Sequence, residues 1–139
     1  MSSDVVFLAV QNFLTANFTS APLVFENDPP FMPEPPTLWV WTEVYDISFD
    51  QVSMGTGSPL TALWREEGAV ICHVMAPTGT GTYAARQMAT SLAHLFVGLE
   101  LSPGIRFQRV FIASGTESWD GNYWPMDMRA EWWREDAAP

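Results

Sequence analysis

Hydrophobic and polar positions recur with two different periods along this chain, and the switches between them mark its elements. In "SSDVVFLAVQNFLTAN", Val6, Val10, Phe13 and Leu14 are spaced by three and four, which places them on one face of a helix. Ser2 or Ser3 stands where an N-cap is needed, and Asp4 complements the helix dipole. "VVFLAV" resembles the apolar core of a signal peptide. Acidic Asp4 precedes it, however, polar Gln11 and Asn12 interrupt it, and no basic segment leads into it, so a first helix is expected.

"LWVWTEVYD" changes to period two: Leu38, Val40, Thr42 and Val44 alternate with Trp39, Trp41, Glu43 and Tyr45, the signature of a strand. "GAVICHVMAP" is apolar at both parities and reads as a central strand ending at Pro77. In "MAPTGTGTYAARQMATSLAHLFVGL", residues 75–99, the period returns to three and four. Ala85, Met88, Ala89, Leu92, Leu95, Phe96 and Leu99 form the buried stripe of a second helix, which Thr80 or Thr82 would cap and Gly98 would end. "IRFQRVFIASGTESWDGNYWPMDMRAEWWRE" then reads as two strands joined at Asp120-Gly121, a pair favoured in tight hairpin turns. Trp124, Met126, Met128, Ala130 and Trp132 share the core side of the last strand, and Pro125 places that strand at an edge or a bulge.

Between the first helix and the first strand, five prolines from Pro29 to Pro36 forbid regular structure. They favour a stiff polyproline II arm, taken as residues 26–37 and including Pro29, Pro30, Phe31, Pro33, Pro35 and Pro36. The expected architecture is a single α+β domain over 1–139, with a mixed or antiparallel sheet of four to five strands and two helices packed on one face. The 47% hydrophobic content is ample for such a core.

Charge narrows the partners. Six arginines and no lysine stand against sixteen acidic residues, a formal charge of −10, which disfavours any surface gripping nucleic acid through phosphates. No apolar run approaches the ~18 residues of a membrane span. The one cysteine, Cys72, lies in an apolar run and reads as a buried thiol.

The glycines of "PTGTG" open onto a helix, as phosphate-binding loops do. The lysine of a P-loop is missing, and Glu100, at the spacing of a dinucleotide site's acidic residue, has no second strand before it. The stretch is expected to be a joint between strand and helix. Adjacent Glu66 and Glu67 would point to opposite faces of a strand, so they cannot act as a catalytic pair; a solvated turn before Gly68 is expected. His73 and His94 show no metal-ligand spacing and are read as a sheet-face and an exposed helix residue. The sequence thus offers no catalytic, cofactor or metal site, and a non-enzymatic protein is expected. Seven tryptophans, nearly all on expected strands, exceed what two helices can cover, which favours an oligomer. Stacking on sugars is the other use of such a surface.

The order of segments resembles the tail terminator proteins of long-tailed bacteriophages and related prophages and gene transfer particles. The likeness spans the N-terminal helix, "FENDPPFMPEPP", "LWVWTEV", "QVSMG", "WREEGAVICHVMAPTGTG" running into a helix, and the hairpin around "WDGNYW". The acidic Glu66 and Glu67 depart from it, since basic residues are expected before that glycine. The resemblance implies a virion structural protein, made in the bacterial cytoplasm, that forms a homo-oligomeric, typically hexameric ring at the head-proximal end of the viral tail. There it stops growth of the tail tube, contacts the tube protein and the head–tail connector protein, and lets DNA pass without specific binding. A glycan-binding module or another neck or tail-completion protein are the alternatives.

Three groups of residues carry site expectations. Trp39, Trp41 and Tyr45 share a side that helices do not cover and are the candidate subunit interface. Pro29, Pro30, Phe31, Pro33, Pro35 and Pro36 form a candidate docking arm. Asp46 and Asp50 fall on one side if the strand continues, and would face the channel to repel the duplex.

Overall fold

The computed structural model describes residues 4–29, 36–52, 63–102, 104–114 and 123–137. Helix α1 (Asp4–Asn17) leads to β1 (Leu23–Phe25), β2 (Trp39–Gln51) and β3 (Leu63–Pro77). Helix α2 (Tyr83–Phe96) follows, then β4 (Glu100–Leu101), β5 (Ile105–Ser114) and β6 (Tyr123–Ala137). The strands form one sheet in the order β1-β2-β3-β6-β5-β4, parallel at β1–β2 and antiparallel at every other pairing.

This corrects the expected fold class. In place of four to five strands under two helices laid on one face, the described chain is mostly β: six strands in a curled, mixed half-barrel sheet with two helices. Strand length is the physical reason. Strands β3 and β6 run for 15 residues each, about 50 Å at ~3.3 Å per residue. Strands of that length accumulate twist, and the sheet curls.

The face of the sheet that carries the main core is called the inner face here. Val6, Val10 and Leu14 of α1 and Ala85, Ala89, Leu92 and Phe96 of α2 share one cluster with Val40, Val70, Cys72, Val74, Met126, Met128 and Trp132. Phe13 of α1 meets Phe96 of α2 edge-on, and Phe7 meets Phe25 of β1, so α1 is wedged between α2 and the β1 edge. Helix α2 lies over β3, β6 and β5. It ends as its sequence requires, with Gly98 at φ +68° just past the C-cap. Its start differs from expectation. Thr82 holds the N-cap position without a capping bond, its hydroxyl instead accepting from Arg86 Nε at 3.2 Å, while the Thr80 hydroxyl donates back to the Pro77 carbonyl.

One further expectation fails in β3, and one is refined in β6. Glu66 and Glu67 lie in mid-strand, not in a turn. Glu66 is buried on the inner face, where Arg134 of β6 sits directly opposite and donates to it at 3.5 Å. Strand β6 is an interior strand between β3 and β5, yet Pro125 is tolerated. The described β5 ladder ends at Ser114↔Met126, so among the described residues no strand lies on that side of β6 at Pro125. Gly68 fills a third role. A Cβ there would stand 2.0 Å from the Tyr45 carbonyl oxygen and 2.6 Å from the Trp132 ring, so only glycine lets the buried indole cross β3.

Candidate interaction surface

The opposite, outer face is covered by neither helix, and the strand register builds it row by row. Trp41, His73 and Asp127 stand side by side on β2, β3 and β6. The next row on the same parity is Glu43, Ile71, Arg129 and Phe111, and the next is Tyr45, Ala69, Glu131 and Arg109. Beyond the bulges come Glu67, Trp133 and Arg106, and finally Asp50, Arg65 and Glu135. Four of the six arginines of this acidic chain are therefore on one sheet face.

In the first two rows His73 is clamped between carboxylates. Nδ1 lies 2.6 Å from Asp127 Oδ1 and Nε2 lies 3.1 Å from Glu43 Oε2, while Trp41 stacks on the imidazole at 5.1 Å. Both ring nitrogens can donate only as the imidazolium. Burial by itself lowers the His73 pKa. Hydrogen bonds to Asp127 and then Glu43, and the charges of both carboxylates, outweigh burial and raise it above its ordinary 6.5.

Arginine and aromatic rings alternate below. The Arg129 guanidinium is 5.7 Å from the Tyr45 ring and 3.7 Å from Glu131. Trp133 is held between Arg65 at 4.6 Å and Arg106 at 5.2 Å, and Arg109 lies 4.8 Å from the Phe111 ring. Arg65 in turn bonds Glu135 through both Nε and Nη2. These contacts fix the orientation of flat, amphipathic side chains that water still reaches, since Trp41, Tyr45, Phe111 and Trp133 are all half-buried. Pre-oriented aromatic and guanidinium groups of this kind suit contact with another protein surface.

The expected site residues fall unevenly. Trp41 and Tyr45 belong to the outer face. Trp39 shares their parity but is only 3% exposed, packed edge-on against Tyr123 and beside Met75 in a second small cluster. Its contribution is therefore internal. In the arm, Pro29 and Pro36 are exposed, and Pro30, Phe31, Pro33 and Pro35 lie outside the described residues. A register shift between Asp46 and Ser48 adds one residue to β2, so period two does not connect Asp46 with Asp50. Asp46 stands opposite Gly68 in the ladder and exposed Asp50 opposite Arg65, so their ladder positions belong to opposite faces.

The "PTGTG" joint borders a groove of about 350 Å³ with Leu38, Ala76, Pro77, Ala84 and Ala85 in its lining. Methyl and methylene groups dominate this lining, a surface with no cationic partner for a phosphate. Cys72 is fully buried on the inner face. Burial pushes its thiol up to about 12, against a smaller opposing effect of the Thr42 hydroxyl 3.6 Å away. His94 is exposed on α2, as expected. Among the described residues no cluster of three or more His, Cys, Asp or Glu side chains could hold a metal ion.

Sequence reasoning missed the Glu43–His73–Asp127 clamp and the Glu66–Arg134 pair. The parity of Glu43 and of Asp127 within their own strands was readable; the register that brings them to His73 was not.

No family model matches the chain, and neither does any curated protein. Fifteen chains of solved structures match its fold. One of them, a protein whose name states no function, aligns over 100% of this chain and 99% of its own length, with 20% identity and a TM-score of 0.64. That likeness supports the half-barrel architecture.

Proposed function

We propose that this protein is a structural component of a phage-type particle: a ring that caps the tail tube at its head-proximal end, ends tube growth and offers a head-joining surface. The order of sequence segments suggests the family. The observation that carries the reading is the outer face, which neither helix covers and on which Trp41 stacks on His73 while Tyr45, Phe111 and Trp133 lie against arginines. Aromatic residues and arginine are the side chains enriched where protein surfaces meet. Trp41 and Tyr45 supply subunit contact, whereas Asp46 and Asp50 do not form the paired acidic row that a channel wall would present. No helix among the described residues is long and apolar enough to cross a membrane.

The test is to add the purified protein to polymerising tail-tube protein and measure both its mass by sedimentation and the tube length by electron microscopy. Ring-sized assemblies and tubes that stop growing at the capped end are expected. A protein that stays monomeric with tubes present and leaves their length unchanged would overturn the reading. Tryptophan quenching by sugars without assembly would point instead to a glycan-binding module.

A further inference from the structure

The two long outer strands of the sheet carry charge of one sign each, and the signs are opposite. Strand β2, "WVWTEVYDISFDQ", contains Glu43, Asp46 and Asp50 and no base. Strand β5, "IRFQRVFIAS", contains Arg106 and Arg109 and no acid. The strands between them mix the signs, with His73 beside Asp127, Arg65 beside Glu135 and Arg129 beside Glu131. The β2 side is thus acidic, its Glu43 shared with His73, and the β5 side is basic, its Arg106 shared with Glu100 of β4 at 3.1 Å.

Both sides are open among the described residues. Strand β1 pairs with β2 only from Val40 to Thr42, and β4 pairs with β5 only at Ile105 and Arg106. The Glu26 carboxylate takes the Val44 N–H at 2.7 Å, leaving the rest of the β2 edge, from Tyr45 to Asp50, without a described strand beside it. The same holds for β5 from Gln108 to Ser114. Apolar side chains accompany the charges: Ile47 at the β2 bulge is 57% exposed and Ile112 on β5 is 37% exposed. Long open edges of this kind are ordinarily shielded in a monomer.

Resting on the ring reading above, we infer that the acidic β2 side of one copy docks on the basic β5 side of the next, in a head-to-tail contact repeated around the ring. Three antiparallel steps separate β2 from β5, so the two strands run in opposite directions within one copy. Rotation of a second copy about an axis parallel to the strands preserves those directions. Its β5 therefore arrives antiparallel to β2, and the alternation of the sheet continues across the contact. Such a contact joins different patches and closes by rotation, as rings require. Asp50, Ile47 and the Tyr45 ring then meet Arg109, Ile112 and Phe111, and the attraction of acid for base opposes the repulsion between copies that each carry −10.

The experiment uses two charge-reversed full-length chains, Arg106→Glu/Arg109→Glu and Ser48→Arg/Asp50→Arg, followed by sedimentation velocity over a concentration series with tube ends present and absent. Each variant alone should need ~100-fold or more higher concentration to assemble, because like charges now face each other. The equimolar mixture should assemble as the wild type does, because every contact again joins acid to base. Should a reversed chain fail to keep the wild-type thermal transition, Arg106→Gln/Arg109→Gln and Asp50→Asn replace the pair, with weakened assembly of each expected. A wild type that assembles alongside variants that assemble equally well overturns the edge contact and spares the ring. Variants that form normal rings yet fail to cap tubes assign these edges to the tube protein and also overturn it. A wild type that is monomeric under every condition overturns the ring reading itself, and the contact with it.

Discussion

Truncating Glu66 tests how the inner face is held where charge enters it. The Glu66 and Arg134 side chains are 3% and 9% exposed, and their closest charged atoms are 3.5 Å apart. At an effective dielectric of ~20 the attraction across that distance is about 5 kcal/mol, most of which repays the removal of two ions from water. Glu66→Ala removes one member of a buried ion pair, which should cost about 3–5 kcal/mol. At roughly 4 °C per kcal/mol for a domain of this size, Tm falls by about 12–20 °C. The double change Glu66→Leu/Arg134→Met keeps volume and removes both charges, and it should lie within about 1 kcal/mol of wild type. Urea unfolding followed by tryptophan fluorescence compares the three proteins, because Trp132 is fully buried in the same core. A Glu66→Ala protein within about 1 kcal/mol of wild type would refute the reasoning, since Arg134 would then reach solvent or a replacement acid without cost.

Gly68→Ala should lower stability by at least about 3 kcal/mol, because the added methyl meets a backbone carbonyl as well as an indole; Trp132→Leu in the same chain should relieve only the second clash, as urea midpoints would show. For His73 the folded pKa is raised, so its contribution to stability is fully present below the ordinary value near 6.5 and is lost as pH rises through the folded value. Wild type should therefore lose its advantage over His73→Gln as pH increases, and equal pH profiles for the two proteins would contradict the clamp. Trp41→Ala should weaken assembly by about tenfold or more while shifting the thermal transition little, measured by sedimentation and calorimetry on the same sample; joint loss of fold and assembly would return Trp41 to the core. Cys72 should resist an aromatic disulfide reagent in the folded protein and react only on unfolding, because burial holds the thiol protonated at neutral pH.

The sequence by itself determined what depends on neighbours along the chain. Spacings of three and four placed Val6, Val10 and Leu14, and Ala85, Ala89, Leu92 and Phe96, on buried helix faces, and all seven are buried. Period two separated Val40, Thr42 and Val44 from Trp41, Glu43 and Tyr45, and separated Met126, Met128 and Ala130 from Asp127, Arg129 and Glu131, as the sheet does. The Gly98 stop was legible because only a residue tolerant of positive φ ends a helix that way.

Tertiary structure decided whatever depends on partners distant in sequence. "WREE" has the composition of a solvated turn, and it becomes mid-strand because Arg134 and Glu135, almost 70 residues later, lie opposite Glu66 and Arg65. Strands β1 and β4, of three and two residues, are too short for any period to reveal; they exist because longer neighbours offer them a ladder. A single extra residue between Asp46 and Ser48 reverses the parity of all that follows on β2, and local composition carries no mark of it. Register likewise turned three ordinary polar residues, Glu43, His73 and Asp127, into one clamp. Periodicity is a property of the backbone within one strand, whereas register is a sum of side-chain contacts over the whole sheet. That is why the faces of this protein were written in its sequence and the rows across them were not.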